Sequence, residues 1–141
     1  NVYLGTDQKS NNEEVLIDYL NLIKCEHKQL VPYDYPTQLC TTLNDMDLII
    51  TPKLHVGIVG ATLSKSVISF SIHSEKIKRF YNQLNEENRT LAMNEFDENK
   101  ALKMLEEYHD KKIVLNESIL KLSYQNFEYT KQFIENIKKT K

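Results

Sequence analysis

Glycine is scarce in this chain, with three residues in 141, at Gly5, Gly57 and Gly60. A Rossmann fingerprint and a P-loop each need several glycines in one turn, where backbone N–H groups approach a phosphate. Both motifs are therefore excluded. Arginine is rarer still, only Arg79 and Arg89, so an anion site must lean on lysine, histidine or backbone N–H groups rather than on bidentate guanidinium forks. The two cysteines, Cys25 and Cys40, fall short of a secreted disulfide framework and are expected as buried free thiols. Eighteen basic residues against 20 acidic ones give a net charge of −2, which leaves no electrostatic footprint for nucleic acid. No stretch approaches the roughly 18 apolar residues of a membrane span, and the N-terminus lacks the basic-then-apolar order of a signal peptide. Repeats and low-complexity tracts are absent as well.

What is present is an alternation of strand and helix patterns. Val2 to Leu4 is a short apolar run, and Val15, Leu16, Tyr19, Leu20 and Ile23 then mark one face of a helix with Asn11 or Asn12 as its N-cap. Gln29 to Tyr33 reads as a second strand, and Pro36 opens a helical segment through Leu43. Leu48-Ile49-Ile50 is a continuous apolar run, the pattern of a strand covered on both faces in a parallel sheet. Thr51 is expected to cap a helix with Pro52 at its first position, running to about Leu63. A fourth strand spans Ser66 to Ile72. Ser74 then caps a helix whose Ile77, Phe80, Tyr81 and Leu84 fall at i, i+3, i+4 and i+7. Asn85 to Glu95 reads as polar linker, Asp97 begins a helix through about Tyr108, and Leu115, Ile119, Leu122, Phe133 and Ile137 mark a long final one. The expectation is a single α/β domain over 1–141: a Rossmann-like parallel sheet with right-handed crossovers over 1–85, and a helical extension, 86–141, packed on it.

In open α/β sheets ligands collect beyond the carboxyl ends of the strands, where helix N-termini point. Lys53 and His55 lie at such a place. A helix N-terminus offers unpaired N–H groups and a partial positive charge suited to a phosphate or carboxylate, and Lys53 adds a full charge. That field disfavours a protonated imidazole and a bound anion favours it, so His55 is a candidate general acid. The bland alternative is a solvated lysine and a hydrogen-bonded histidine. His73 and Lys76 occupy the corresponding edge after the fourth strand, whereas His27 and His109 read as surface histidines. Gly57, Gly60 and Ala61 share one side of the helix, where missing side chains permit close approach to the sheet. Metal-ligand spacings, a Ser/His/Asp set and paired catalytic carboxylates do not occur, and Asp45 and Asp47 read as caps or surface charges.

The segment LNDMDLIITPKLHVGIVGATLSKSVISFSIHSEKIKRFYNQL, Leu43 to Leu84, resembles the C-terminal half of the polysaccharide pyruvyl transferases. In that family an aspartate and two or three apolar residues precede Thr or Ser, x and Arg-Leu-His. A small-residue-rich helix, a Pro-Val-Ile-like strand and a lysine followed by an aromatic come after. Asp47, Thr51, Leu54, His55, Gly57, Val67, Ile68, Lys76 and Phe80 fall on this pattern. The close match covers about 40 residues. The resemblance implies the C-terminal domain of a two-Rossmann-domain, glycosyltransferase-like enzyme that transfers pyruvate from phosphoenolpyruvate to a sugar as a ketal, in exopolysaccharide or cell-surface glycan synthesis. It makes His55 the catalytic residue and Lys53 the phosphoenolpyruvate contact, with Thr51, His73 and Lys76 as further substrate-binding residues.

The same resemblance implies a sugar or lipid-linked glycan acceptor, no cofactor or metal, and a cytoplasmic location with peripheral attachment to the inner face of the membrane as an option. Three departures stand out. Lys53 replaces the family's arginine and gives up its bidentate fork. The turn before Lys76 is one residue longer, with Ile72 near the usual tyrosine. The family's N-terminal half is not represented, as expected of the C-terminal part of a longer protein. Two other readings stay open: a nucleotide-sugar-binding domain of a glycosyltransferase of similar architecture, and a non-catalytic interaction domain.

Overall fold

A computed structural model describes residues 2–7, 13–33, 35–72 and 74–139. The chain divides into two compact units, 1–45 and 46–141, and each contains a parallel sheet. In the first unit β1 (Val2–Asp7) and β2 (Lys28–Tyr33) pair with Val2 opposite Lys28 and Asp7 opposite Tyr33. The crossover between them contains α1 (Glu13–Leu22). The expected cap at Asn11 or Asn12 lies outside the described residues. Next comes α2 (Pro36–Asn44), with proline at the start, where its fixed φ is helical and its missing N–H costs nothing. Gln38 Oε1 accepts the Tyr35 N–H at 3.2 Å just ahead of it. Both cysteines are free, but Cys25 is only half-buried and Cys40 is exposed. A two-stranded unit has too little interior to bury every small apolar residue.

The second unit runs β3 (Leu48–Thr51), α3 (Leu54–Thr62), β4 (Ser66–Ser71), α4 (Ser74–Gln83), β5 (Thr90–Ala92), α5 (Glu98–Tyr108) and α6 (Glu117–Lys139). Its sheet has the order β3-β4-β5, all parallel, with Ile49 opposite Val67, Thr51 opposite Ser69 and Ser71 opposite Ala92. This is an α/β fold. Alternation of side chains assigns Ile49, Thr51, Val67, Ser69 and Ser71 to one face, and Ile50, Ser66, Ile68 and Phe70 to the other.

Helices α3 and α4 cover the first face. The buried residues of α3 are Gly57, Gly60 and Ala61, the small side chains that its sequence places together. A Cβ built on Gly60 would lie 2.7 Å from Ile49 Cδ1 and 2.9 Å from Val67 Cγ2, so only glycine lets the helix sit this close. From α4, Ile77 and Tyr81 are fully buried, which agrees with the spacing that predicts that helix. On the second face the Ser66 hydroxyl donates to the Tyr108 carbonyl at the end of α5, and Phe96 meets Phe70 edge to face at 5.7 Å. Asp97 caps α5, its carboxylate accepting the Lys100 N–H at 3.0 Å. Ile113 is fully buried and its N–H donates to the Lys65 carbonyl at 3.1 Å, fastening the segment beyond α5 to the start of β4.

Four expectations change. The 85–95 segment is not wholly linker: Thr90–Ala92 forms β5, a three-residue strand too short to show a period of two, which exists because β4 offers a free edge. Thr51 ends β3 and α3 begins at Leu54, so Lys53 is the N-cap and Pro52 precedes the helix. Ile50, on the edge strand, is half exposed rather than covered. The largest change is α6: its Leu122, Phe133 and Ile137 are exposed, so the apolar stripe is not packed on the sheet. No helix among the described residues is long and apolar enough to cross a membrane.

Scarcity of glycine is also felt at the helix ends. After α3, Ser64 takes φ 55° while its N–H donates to the Ala61 carbonyl and the Lys65 N–H to that of Gly60, both at 3.0 Å. After α4, Asn85 takes φ 57° while its N–H donates to the Asn82 carbonyl and the Glu86 N–H to that of Tyr81. These are Schellman closures, whose left-handed position favours glycine. A left-handed serine costs roughly 1 kcal/mol. Ser64→Gly is therefore expected to stabilise the protein by about 0.5–1 kcal/mol. Gly60→Ala is expected to destabilise by about 1–2 kcal/mol, because overpacking against the stiff Val67 exceeds the gain in helix propensity. Urea titrations check both, and equal midpoints for the two variants would contradict this account of α3.

Candidate functional site

The carboxyl ends of β3 and β4 bring the predicted residues to one edge of the sheet. At the end of β3, Thr51 is buried, and its Oγ1 accepts the Lys53 N–H at 3.0 Å. That bond folds the chain from strand into turn within two residues, a side-chain mimic of a backbone turn. Lys53 stays extended at φ −100° and ψ 121°, and its carbonyl accepts the Gly57 N–H at 3.1 Å, closing the first turn of α3.

As an N-cap, Lys53 is chemically odd. Caps are normally Ser, Thr, Asp or Asn, whose side chains accept an N–H of the first turn. Lysine has no acceptor, and the Lys53 side chain makes no capping bond. Its charge also sits at the positive end of the helix macrodipole, where a cation is disfavoured and an anion stabilised. The start of α3 is thus electrostatically suited to an external anion, and Lys53 and His55 both carry exposed side chains there.

The central strand contributes a group that sequence reasoning missed. Ser71, the last residue of β4, is 1% exposed and its Oγ has no hydrogen-bond partner among the described residues. Buried hydroxyls are nearly always paired, so an exception at the edge of the sheet is a candidate for contact with a water or a ligand. The available signal is compositional: Ser66, Ser69 and Ser71 interrupt a strand otherwise made of Val, Ile and Phe. Ser66 and Ser69 have protein partners; among the described residues Ser71 has none. Thr90 Oγ1, on the neighbouring strand opposite Ser69, is likewise buried and without a partner among the described residues.

Beyond β4, Lys76 is exposed in the first turn of α4, whereas His73 lies outside the described residues. Thr51, Lys53 and His55 are thus gathered at one strand-to-helix turn, and Lys76 belongs to the next. Thr51 is committed to shaping the turn, and its burial gives it a positioning role ahead of a direct contact.

Beneath this edge, the Ser69 and Tyr81 hydroxyls share a hydrogen bond of 2.9 Å, and a Cβ on Gly57 would come within 3.2 Å of the Tyr81 oxygen. Burial raises the Tyr81 pKa above its usual value, against smaller opposing effects from the Ser69 bond and the Arg89 charge. Arg89, which sequence analysis passed over, is the largest buried polar side chain in the unit, 2% exposed. It donates to Glu86 Oε2 at 2.7 Å and to the Lys111 carbonyl at 2.8 Å, with its guanidinium carbon 4.6 Å from the Tyr108 ring centroid. These bonds are internal to the fold, so Arg89 is a structural clamp.

Comparison of the chain with protein-family models, with curated proteins and with solved structures finds no match.

The raised Tyr81 pKa sets an alkaline stability limit. Below a pH of about 10 the phenol is neutral in both folded and unfolded chains, and its contribution is fully present. Above that pH the unfolded chain ionises while folded Tyr81 still holds its proton. Stability therefore falls as pH rises through the folded pKa. Tyr81→Phe is expected to cost about 1 kcal/mol near neutrality, by leaving Ser69 unpaired, and to shallow the decline above pH 10. Denaturant midpoints between about pH 8 and 11 check this; an unchanged slope in the variant would refute it.

Proposed function

We propose that this chain is the phosphoenolpyruvate-binding part of a polysaccharide pyruvyl transferase, with the carboxyl edge of β3 and β4 as its donor site. The observation that carries the proposal is the start of α3, where a lysine cap with no capping bond leaves first-turn N–H groups for an outside anion. The buried, unpartnered Ser71 hydroxyl at the end of the adjacent strand supports the same reading. So does the resemblance of Leu43 to Leu84 to that family. Phosphoenolpyruvate offers two anionic groups, and two helices, α3 with Lys53 and α4 with Lys76, begin at this edge.

In this reading His55 is the proton donor. It delivers a proton to the methylene carbon of phosphoenolpyruvate, turning the adjacent carbon that bears the phosphate into a cationic centre with a new methyl group beside it. One sugar hydroxyl attacks that carbon, the carbon–oxygen bond to phosphate breaks, and a second hydroxyl completes the ketal. Of the two hydroxyl protons, one returns to His55 and the other leaves with phosphate, so the histidine is regenerated. Lys53 and the first-turn N–H groups hold the donor's negative charge through these steps and stabilise the departing phosphate.

Chemical-shift mapping with phosphoenolpyruvate tests the site. Perturbations are expected at Lys53 to Gly57, Ser71 and Lys76. Shifts confined elsewhere, or a preference for uridine diphosphate, favour the nucleotide-sugar reading instead. Lys53→Ser is expected to stabilise the fold by about 1 kcal/mol, because it installs a good cap, while weakening phosphoenolpyruvate binding about tenfold or more. Lys53→Arg is expected to preserve or tighten binding. His55→Gln is expected to abolish turnover with binding largely intact, as befits a group needed mainly in the transition state. A His55→Gln enzyme that retained most of its activity would remove the catalytic assignment and leave the anion site standing.

A further inference from the structure

Helix α6 is 23 residues long, about 35 Å at the usual rise. It has its own start signal: Asn116 Oδ1 accepts the Ile119 N–H at 2.9 Å and the Ser118 hydroxyl at 2.6 Å, and Glu117 sits in the first turn. Eight of its large apolar side chains are exposed, from Leu120 at 43% to Tyr124 at 72%. Such a helix gains little from propensity alone, since Ser123, Asn126, Thr130 and its aromatics are mediocre helix formers; stability of this kind comes from burying a face.

The face has a coiled-coil spacing. Leu120, Ser123, Phe127, Thr130, Ile134 and Ile137 recur at alternating steps of three and four, the a and d positions of a heptad. Its composition is self-complementary in one orientation. In an antiparallel pair a positions face d positions, so Phe127 falls against Thr130 of the second copy, Ile134 against its Ser123 and Leu120 against its Ile137. Large meets small in the central layers, the arrangement that lets facing side chains interdigitate. A parallel pair would stack Phe127 on Phe127 and Ser123 on Ser123, crowding one layer and leaving a void in the next.

Charge points the same way. Glu117 opens α6 and Lys138 lies in its last turn, so antiparallel copies bring unlike ends together and oppose their macrodipoles. Near the twofold axis, Lys131 is bracketed on its own helix by Glu128 and Glu135 at i−3 and i+4, which moderates its approach to its symmetry mate. The area is in range too: Phe127, Leu120, Ile134 and Ile137 on the stripe, flanked by Tyr124 and Phe133 at the e and g positions, supply on the order of the 800 Å² per partner of a stable interface, at roughly 150–250 Å² for each aromatic.

From this spacing, charge and area we infer that α6 is a dimerisation helix whose partner is α6 of a second copy of this chain, paired antiparallel about a twofold axis near residues 128–129. The inference does not depend on the proposed function. Sedimentation of the full chain from about 1 to 200 µM tests it by mass action. A monomer–dimer equilibrium is expected, with Phe127→Thr shifting dissociation at least about tenfold toward monomer and the double variant Phe127→Thr, Thr130→Phe restoring the dimer, because the exchange swaps a contact with its own symmetry mate.

Cysteine cross-linking then reads the direction in a Cys25→Ser, Cys40→Ser background. Ser123→Cys mixed with Ile134→Cys is expected to form a mixed disulfide dimer, with neither variant linking to itself. A monomer at the highest concentration overturns the inference. So does a dimer indifferent to Phe127→Thr, or Ser123→Cys cross-linking to itself, the mark of a parallel pair.

Discussion

The contact on which the rest of the second unit depends is the approach of α3 to the β3–β4 pair. At Gly60 no side chain separates helix from sheet, and Ile49 and Val67 occupy the space a Cβ would need. Close packing of this kind gains dispersion along the whole helix and offsets the roughly 1 kcal/mol that each helical glycine costs. It also fixes where α3 begins, because a helix held against two strands cannot slide along them. The position of Lys53 and His55 at the sheet edge is a consequence of packing one to two turns further on.

On the opposite face a polar clamp joins the apolar contacts. Arg89 reaches Glu86, Ser66 and the Lys111 carbonyl, and lies against the Tyr108 ring. It thereby links β4, the turn before β5, the end of α5 and the segment that carries buried Ile113. A buried guanidinium is tolerated here because its hydrogen bonds and its counter-ion are internal. The two faces thus solve one problem in different ways: small residues bring α3 close, and a long charged one ties the C-terminal segment from a distance. Past Ile113 neither device continues, and the exposed apolar face of α6 follows.

The candidate site combines what this scaffold leaves unfinished. The Thr51 hydroxyl completes the turn, whereas Lys53 makes no capping bond to the first turn of α3 and the buried Ser71 hydroxyl has no partner among the described residues. First-turn N–H groups and a hydroxyl held in place by packing suit a binding edge, since such donors need no reorganisation when charge arrives. The opening of α3 therefore carries less intrinsic helix stability than a serine or aspartate cap would give it. Well-capped α5, with Asp97 on the Lys100 N–H, shows what the same chain does where no ligand is invoked.

The sequence by itself determined the alternation of strands and helices, the parallel pairing it implies, the Gly57/Gly60/Ala61 contact face, the Ile77/Tyr81 core and the start of a helix at Asp97. Each of these is written in local spacing or local chemistry, which a one-dimensional pattern records. The tertiary structure decided the rest. Thr90 to Ala92 became a strand because β4 had an edge to pair, Thr51 became a turn-former because the strand continued one residue further, and Arg89 became a clamp because distant Ser66 and Lys111 came within reach. Ser71 lost access to water when α3 and α4 closed over its face, so its missing partner could not be read from its neighbours in sequence. The stripe on α6 was legible as apolar, but not its destination, because amphipathicity states that a face must be covered and only three-dimensional packing states by what.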